Sequence, residues 1–530
     1  MRRRPAPPRV YYFFSFFCGL SSSPRSAPAF RRLRFFSFRS FFYLRVFAEE
    51  GLLKKTSRRP PTHTIRHPAS RARTGDRGLL AAAPKPSARI PRRRAFVNPI
   101  AAPALRPSLP NTMSPARKVA LLSIACAVLC VEDAAGATVF ERMWNQILPV
   151  KRHPVILVPG DGGSQLEAKL NKTETVHYFC ERRTADYFDL WVNLELMVPY
   201  VLDCWVDNMR LVYDNKTRTT RSPDGVDVRV PGFGNTSTVE WLDPSQVSPT
   251  AYFTRIVEEL LLLGYQRGVD VRGAPYDFRK APNELGDYFE RLHDLIEETF
   301  STNGDQSVIL VCHSMGCPNL RYFFSRQRQA WKDKHIRALV TLGGAWGGAV
   351  KALKAYASGE NLGVVVINPL SVRPEQRSTP SLAYMLPNRL YWNESEVLVK
   401  TLDRSYGLAD YRAFFDDIGF PDGYEMYKDT RPYMLDNTAP GVEIHCLHGR
   451  NVSTIERIEY HKPGFPDIQP QVVFGDGDGT VNLRSLRGCL RFQYGQNQRV
   501  YEKTLDNVEH MSILYEPAVI EYIKALVLGQ

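Results

Sequence analysis

Ser314 stands in ILVCHSMGCPN (309–319), where an apolar run ends and a helical pattern begins. A serine hydroxyl is a weak nucleophile at its ordinary pKa. It needs a base to take its proton and a third group to orient that base. Two later stretches hold suitable residues. FGDGDGT (474–480) sets Asp476 and Asp478 on a glycine-rich turn after the apolar run QVVF, and VEHM (508–511) sets His510 ahead of a closing helical pattern. Each stretch has a plain alternative. A lone serine before a helix is more often an N-cap. As an EF-hand the acidic loop fails, because its twelfth position from Asp476 is Arg487 rather than glutamate. As a phosphate loop it fails because no Gly-Lys-Ser/Thr follows. Placement at the ends of apolar runs, in the order Ser, Asp, His, makes a catalytic triad the better reading of the three together.

Such a triad needs elements to carry it. The body of the chain alternates strand and helix patterns. VILVPG (155–160), VILVC (308–312), IRALVTLG (336–343), VEIHCLHG (442–449) and QVVFG (471–475) read as strands. Tyr252–Leu263, residues 317–330 and Ala518–Leu528 read as helices. Continuous apolar strands alternating with helices predict an α/β fold with a largely parallel central sheet. On that frame the serine occupies a sharp strand-to-helix turn crowded enough to demand small neighbours. Here the motif is Cys312-His313-Ser314-Met315-Gly316, with cysteine in place of the first glycine of G-x-S-x-G. His510 is the expected general base. Asp478 is the preferred orienting carboxylate because it comes later in the loop, and Asp476 competes with it. Backbone N–H groups would hold the oxyanion, one from Met315 and a second from the loop VPGDGG (158–163).

The composition divides the chain. Residues 1–112 hold 24 Lys and Arg against Glu49, Glu50 and Asp76, a net of +21, whereas the whole chain is +14; residues 113–530 therefore carry −7. The leader shows no sustained period and is expected to be disordered. Its charge accounts for the basic balance, so nucleic-acid binding is not expected of the body. From Met113 the pattern changes to Arg117-Lys118, the apolar run 119–131 and Ala135-Gly136-Ala137. That is a secretory signal peptide, 113–137, too short for a comfortable span. Translation is expected to start at Met113, with a disordered basic extension as the rival. Sequons at Asn171, Asn215, Asn235, Asn393 and Asn451 all follow the signal, as a lumenal chain requires. Six cysteines follow it too: Cys180, Cys204, Cys312, Cys317, Cys446 and Cys489. They permit about fifteen connectivities. Cys312 and Cys317 flank Ser314 and are expected to stay free thiols, since a bridge there would distort the turn.

HPVILVPGDGGSQLEAKL (153–170), DVRGAPYDFRKAPNE (270–284), HSMG (313–316), FGDGDGTVNL (474–483) and EHMSIL (509–514) closely resemble the lecithin–cholesterol acyltransferase family of α/β hydrolases. The resemblance runs from about His153 to Gln530. Within that family the resemblance is stronger to the lysosomal branch than to the plasma one, through Asp161 and through a chain that stops soon after its last helix. It implies Ser314, Asp478 and His510 as the triad and the backbone of Asp161 and Met315 as the oxyanion hole. It points to Cys180–Cys204 and Cys446–Cys489 as pairs. Gly162, Ser164, Cys312 and Gly344-Ala345 depart from the family pattern near the site, which leaves acyl-chain preference open.

The family also gives meaning to two stretches outside the alternation, 180–250 and 345–435. Leu190, Trp191, Leu194, Leu196, Met197 and Val198 lie within the loop bounded by Cys180 and Cys204. Some must be core; the resemblance favours an apolar tip that enters a bilayer. Trp346 to about Ser378 is expected to form a mobile lid within a cap. The implied activity is a calcium-independent phospholipase A and acyltransferase, without cofactor, metal or obligate protein partner. A seryl acyl-enzyme would pass its acyl group to water or to a lipid alcohol such as ceramide, in the lysosome lumen or outside the cell. A secreted sterol acyltransferase and a catalytically dead lipid-binding protein are the rivals.

Overall fold

The computed structural model describes residues 152–364 and 367–529. The basic leader and the signal segment lie outside the described residues. Six strands build the central sheet: β1 (Val155–Val158), β2 (Val271–Gly273), β3 (Val308–His313), β4 (Ile336–Leu342), β5 (Ile444–Arg450) and β6 (Val500–Asp506). All neighbours are parallel, in the order β6-β5-β4-β3-β1-β2. Four helices matter most for the site: α1 (Thr254–Leu262), α2 (Gly286–Thr302), α3 (Gly316–Ser325) and α4 (Pro517–Val527).

Why β1 and most of β3 are apolar throughout follows from what covers them. Successive side chains of a strand face opposite sides. Ile156, Val158, Leu310 and Cys312 point to one face and pack with Leu292 and Ile296 of α2 and Leu320 and Phe324 of α3. Val155, Leu157, Ile309 and Val311 point to the other and pack with Ile256 and Leu260 of α1 and Ile520 and Ile523 of α4. Both faces are therefore dry, and each fully buried aliphatic side chain contributes roughly 1.5–3 kcal/mol. α1 ends where Gly264 takes φ +88°, a conformation glycine adopts at little cost. α4 begins at Pro517, with the Glu516 carboxylate accepting from the Ala518 N–H.

One expectation changes. Gln471–Gly477 is a strand, but it pairs antiparallel with Val452–Glu459 in a separate four-stranded sheet. Its residues are exposed or half-buried except for Gly477, which a strand covered on both sides would not show. The sixth strand of the central sheet is instead β6, whose polar sequence VYEKTLD suits an edge. Residues 180–250 and 345–435 contribute no strand to the central sheet. The first stretch supplies strands Phe188–Trp191 and Val226–Arg229, which flank Leu166–Leu170 in a small antiparallel sheet. The second is mainly helices, among them Lys351–Ser358, Pro369–Arg377 and Pro421–Leu435. No helix among the described residues is long and apolar enough to cross a membrane.

Candidate active site

The chain reverses at the carboxyl end of β3. Ser314, between β3 and α3, has φ +52°, a strained conformation for a residue with a side chain. The crowding explains the glycines around it. A Cβ on Gly316 would come 2.2 Å from the Pro159 carbonyl oxygen, and one on Gly160 would come 2.6 Å from the Ser314 Cβ. The His510 Nε2 lies 2.9 Å from the Ser314 Oγ, and its Nδ1 lies 2.6 Å from the Asp478 Oδ2. Three side chains 196 and 32 positions apart thus form one hydrogen-bonded line.

Asp478 is fixed at both oxygens. Its Oδ1 accepts from the N–H groups of Thr480 (3.1 Å) and Val481 (2.8 Å), and its carbonyl accepts from the His510 N–H at 2.8 Å. Burial opposes its ionisation, but attraction to the His510 imidazole and these hydrogen bonds outweigh it. The carboxyl is held below the usual range. Asp476, the competing carboxylate, turns outward and accepts from the Asn451 N–H at 2.6 Å. Asp476 lies within the strand Gln471–Gly477, whereas Asp478 lies just beyond its end, where the chain turns, so the two side chains take different directions.

Two further residues escaped the sequence reading. His313 is buried, and its Nε2 donates to the His510 carbonyl at 2.9 Å. Its Nδ1 then accepts from the Tyr252 hydroxyl, which in turn accepts from the Gly160 N–H at 3.0 Å. Burial drives the His313 pKa down to about 3, helped by the nearby His510, so this ring is a neutral strut between the β1 loop and the His510 backbone. His313 is visible as the residue before Ser314; Tyr252, 61 positions away, carries no sequence signal. The DVRGAPYDFRK stretch also gains a role. The Tyr276 hydroxyl donates to the Pro159 carbonyl at 3.1 Å, and Asp277 grips Arg279 through Nε (2.9 Å) and Nη2 (2.8 Å).

Ser314 and His510 open into a cavity of about 420 Å³. Its wall is largely apolar, with Ala352 and Ala355 from one cap helix and Met315, Leu382, Met385 and Val481 around them. Asp161 and Met315 line it too. Neither of their backbone N–H groups donates to another backbone carbonyl outside helices and strands among the described residues, so both are free to meet a ligand there. Asp161 is reached by solvent through this cavity yet is densely surrounded by protein. That surrounding, first of all, pushes its carboxyl up to about 6, against a backbone hydrogen bond from Gly162 and the attraction of Lys351.

The other expected site residues divide. Leu190 is fully buried and Met197 is 5% exposed, so both belong to the core rather than to a membrane tip. Trp191 is half-buried, lines the cavity, and donates from Nε1 to the Gly162 carbonyl at 2.7 Å. Leu196 is half-buried, whereas Leu194 and Val198 are exposed. A composition count could not tell which face of the loop each residue takes. Tyr200 stands exposed on the same loop, at 89%, and Val176, Tyr178 and Phe179 stand exposed just ahead of Cys180, Tyr178 at 98%. All five sequon asparagines are exposed.

Cys180 is bonded to Cys204 and Cys446 to Cys489. Cys312 and Cys317 are also bonded, contrary to the expectation of free thiols. The elbow turns the chain so that both side chains enter the same core, under α3. Their Cα atoms lie 5.2 Å apart, within the ordinary range for a disulfide, so the bridge fits the turn. Alkylating the unfolded, unreduced protein is accordingly expected to leave all six cysteines unmodified; a single alkylated peptide carrying Cys312 or Cys317 would contradict this.

A parallel sheet, a strained serine at a strand–helix elbow and an imidazole–carboxylate line define an α/β hydrolase. Residues 187–517 match the family described as lecithin:cholesterol acyltransferase. The lysosomal phospholipase A and acyltransferase of Homo sapiens is 50% identical over 383 residues, covering 72% of this chain and 92% of that protein. That of Rattus norvegicus is 50% identical over 384 residues, with the same coverage of 72% and 92%. The phosphatidylcholine-sterol acyltransferase of Gallus gallus is 41% identical over 363 residues, covering 68% and 87%. The chain belongs to the lecithin:cholesterol acyltransferase family.

Proposed function

We propose that this chain is a lysosomal phospholipase A and acyltransferase. The observation that carries the reading is the Ser314–His510–Asp478 line opening into a largely apolar cavity. The Ser314 Oγ attacks an ester carbonyl of a glycerophospholipid while the His510 Nε2 takes its proton. The Asp478 carboxylate holds the His510 Nδ1–H and stabilises the imidazolium. The amides of Asp161 and Met315 receive the oxyanion. The tetrahedral intermediate collapses as the imidazolium returns its proton to the departing lysophospholipid oxygen. Water or a lipid alcohol such as ceramide then attacks the acyl-enzyme with His510 again as base, so hydrolysis and transacylation compete at one site. Because the nucleophile is a serine, the mechanism asks for no calcium.

Asp161 supplies a physical reason for an acid optimum. Below about 6 its carboxyl is neutral; above, its charge stands beside the developing oxyanion and raises the barrier. The activity of wild type should fall as pH rises through 6, and Asp161→Asn should flatten that fall. A pH profile of fatty-acid release that is identical in the two proteins would remove Asp161 from the account.

The exposed apolar groups Val176, Tyr178, Phe179, Leu194, Val198 and Tyr200 form the surface that enters the bilayer. Residues 346–378 act as the lid, the exposed sequons carry glycans, and the mature chain begins after the signal segment. Fatty-acid release from phosphatidylcholine vesicles at acid and neutral pH, with and without a chelator, tests the whole reading. Adding ceramide or cholesterol as acceptor separates it from the sterol-acyltransferase alternative: acyl-ceramide is expected, and cholesteryl ester in its place would overturn it.

A further inference from the structure

The cavity wall is not uniformly apolar. Glu375, on the cap helix Pro369–Arg377, lines it while only 6% exposed. Its polar neighbours Arg279, Gln376 and Thr379 are committed to the protein. Arg279 is gripped by Asp277 and donates to the Met209 carbonyl at 3.0 Å. Gln376 donates to the Glu360 carbonyl and accepts from the Glu360 N–H, and the Thr379 hydroxyl donates to the Gln376 carbonyl. The Glu375 carboxyl makes no hydrogen bond or ion pair with any described residue, and neither of its oxygens is sealed from the cavity. A buried polar group without a partner costs free energy, and a ligand that completes its hydrogen bonds recovers that cost.

We propose that Glu375 is a specificity-determining residue that recognises a hydroxyl carried on the acyl chain, so that the enzyme favours phospholipids bearing hydroxylated fatty acids over those bearing plain saturated ones. This deepens the phospholipase reading and rests on it. Burial, and then the charge of Asp161, push the Glu375 carboxyl up to about 8, against the pull of Arg279. In acid the group is therefore a neutral carboxylic acid, which both donates and accepts, and a chain hydroxyl also does both. A plain methylene chain leaves the carboxyl unpaired. Discrimination by a site built to hydrogen-bond is larger than discrimination by apolar fit alone.

The test compares phosphatidylcholine carrying 12-hydroxystearate with phosphatidylcholine carrying stearate, at pH about 5, where the acid is neutral. The quantity read is the ratio of the two kcat/KM values within each protein, which cancels differences in the folded fraction. Wild type should favour the hydroxylated lipid. Glu375→Leu should lower the ratio roughly tenfold, and Glu375→Gln, which still donates and accepts, should keep most of it. A ratio unchanged in Glu375→Leu overturns the assignment while leaving the phospholipase reading intact. Failure of wild type to cleave either lipid overturns that reading, and this inference with it. Binding of 12-hydroxystearate and stearate to Ser314→Ala and to Ser314→Ala/Glu375→Leu, followed by Trp191 fluorescence, supplies a readout without turnover. The hydroxylated acid should bind more tightly only where Glu375 is present, and equal preference in both proteins would count against the proposal.

Discussion

Ser314→Ala lowers phospholipid turnover by roughly 10⁴ to 10⁶, and His510→Ala lowers it by about as much. The reason is geometric. The Oγ and Nε2 are 2.9 Å apart, so the proton has one short path, and removing either end removes the path. The losses should not add. In the double variant, turnover should resemble that of either single variant, because the two groups perform one step. Single-turnover release of fatty acid from labelled vesicles is the measurement. Residual activity within tenfold of wild type in Ser314→Ala would sink the acyl-enzyme.

The second large effect separates the two acidic residues of the GDGDG loop. Asp478→Asn should lower kcat by about 10⁴, because an amide facing the His510 Nδ1 favours the wrong tautomer. Asp476→Asn should change kcat by less than about threefold, since an exposed hydrogen bond at the surface contributes little. Its carboxylate caps the Asn451 N–H and does not face the imidazole. The reverse ranking in steady-state kinetics would reassign the orienting group.

How much of this was legible in the sequence depends on which forces act locally. β1 and the first five residues of β3 are buried on both faces, so they had to be apolar in unbroken runs, and β4 is interrupted only at Arg337 and Thr341; all three stand out as written. β6 was missed because an edge strand keeps polar side chains on its open side. β2 is three residues long, too short to show any period. The triad was readable because chain order and loop chemistry travel together. Choosing Asp478 over Asp476 is weaker, since what parts the two side chains is the turn of the chain after Gly477, which no local pattern shows. The Tyr252–His313–His510 relay depends on contacts across 61 and 197 positions, which no local pattern encodes. Cys312 and Cys317 misled for the same reason: the reversal that brings their Cα atoms to 5.2 Å is tertiary. Leu190 and Leu194 are four apart in one apolar loop, yet one is core and the other exposed.

The most direct test of the central claim is covalent. A fluorophosphonate probe reacts only with a serine whose proton has a base to receive it and whose oxyanion has donors waiting. Treated with such a probe and analysed by peptide mass spectrometry, wild type should carry a single adduct on Ser314, and Ser314→Ala should carry none. An unlabelled wild type, or an adduct on another serine that persists in Ser314→Ala, would contradict the account.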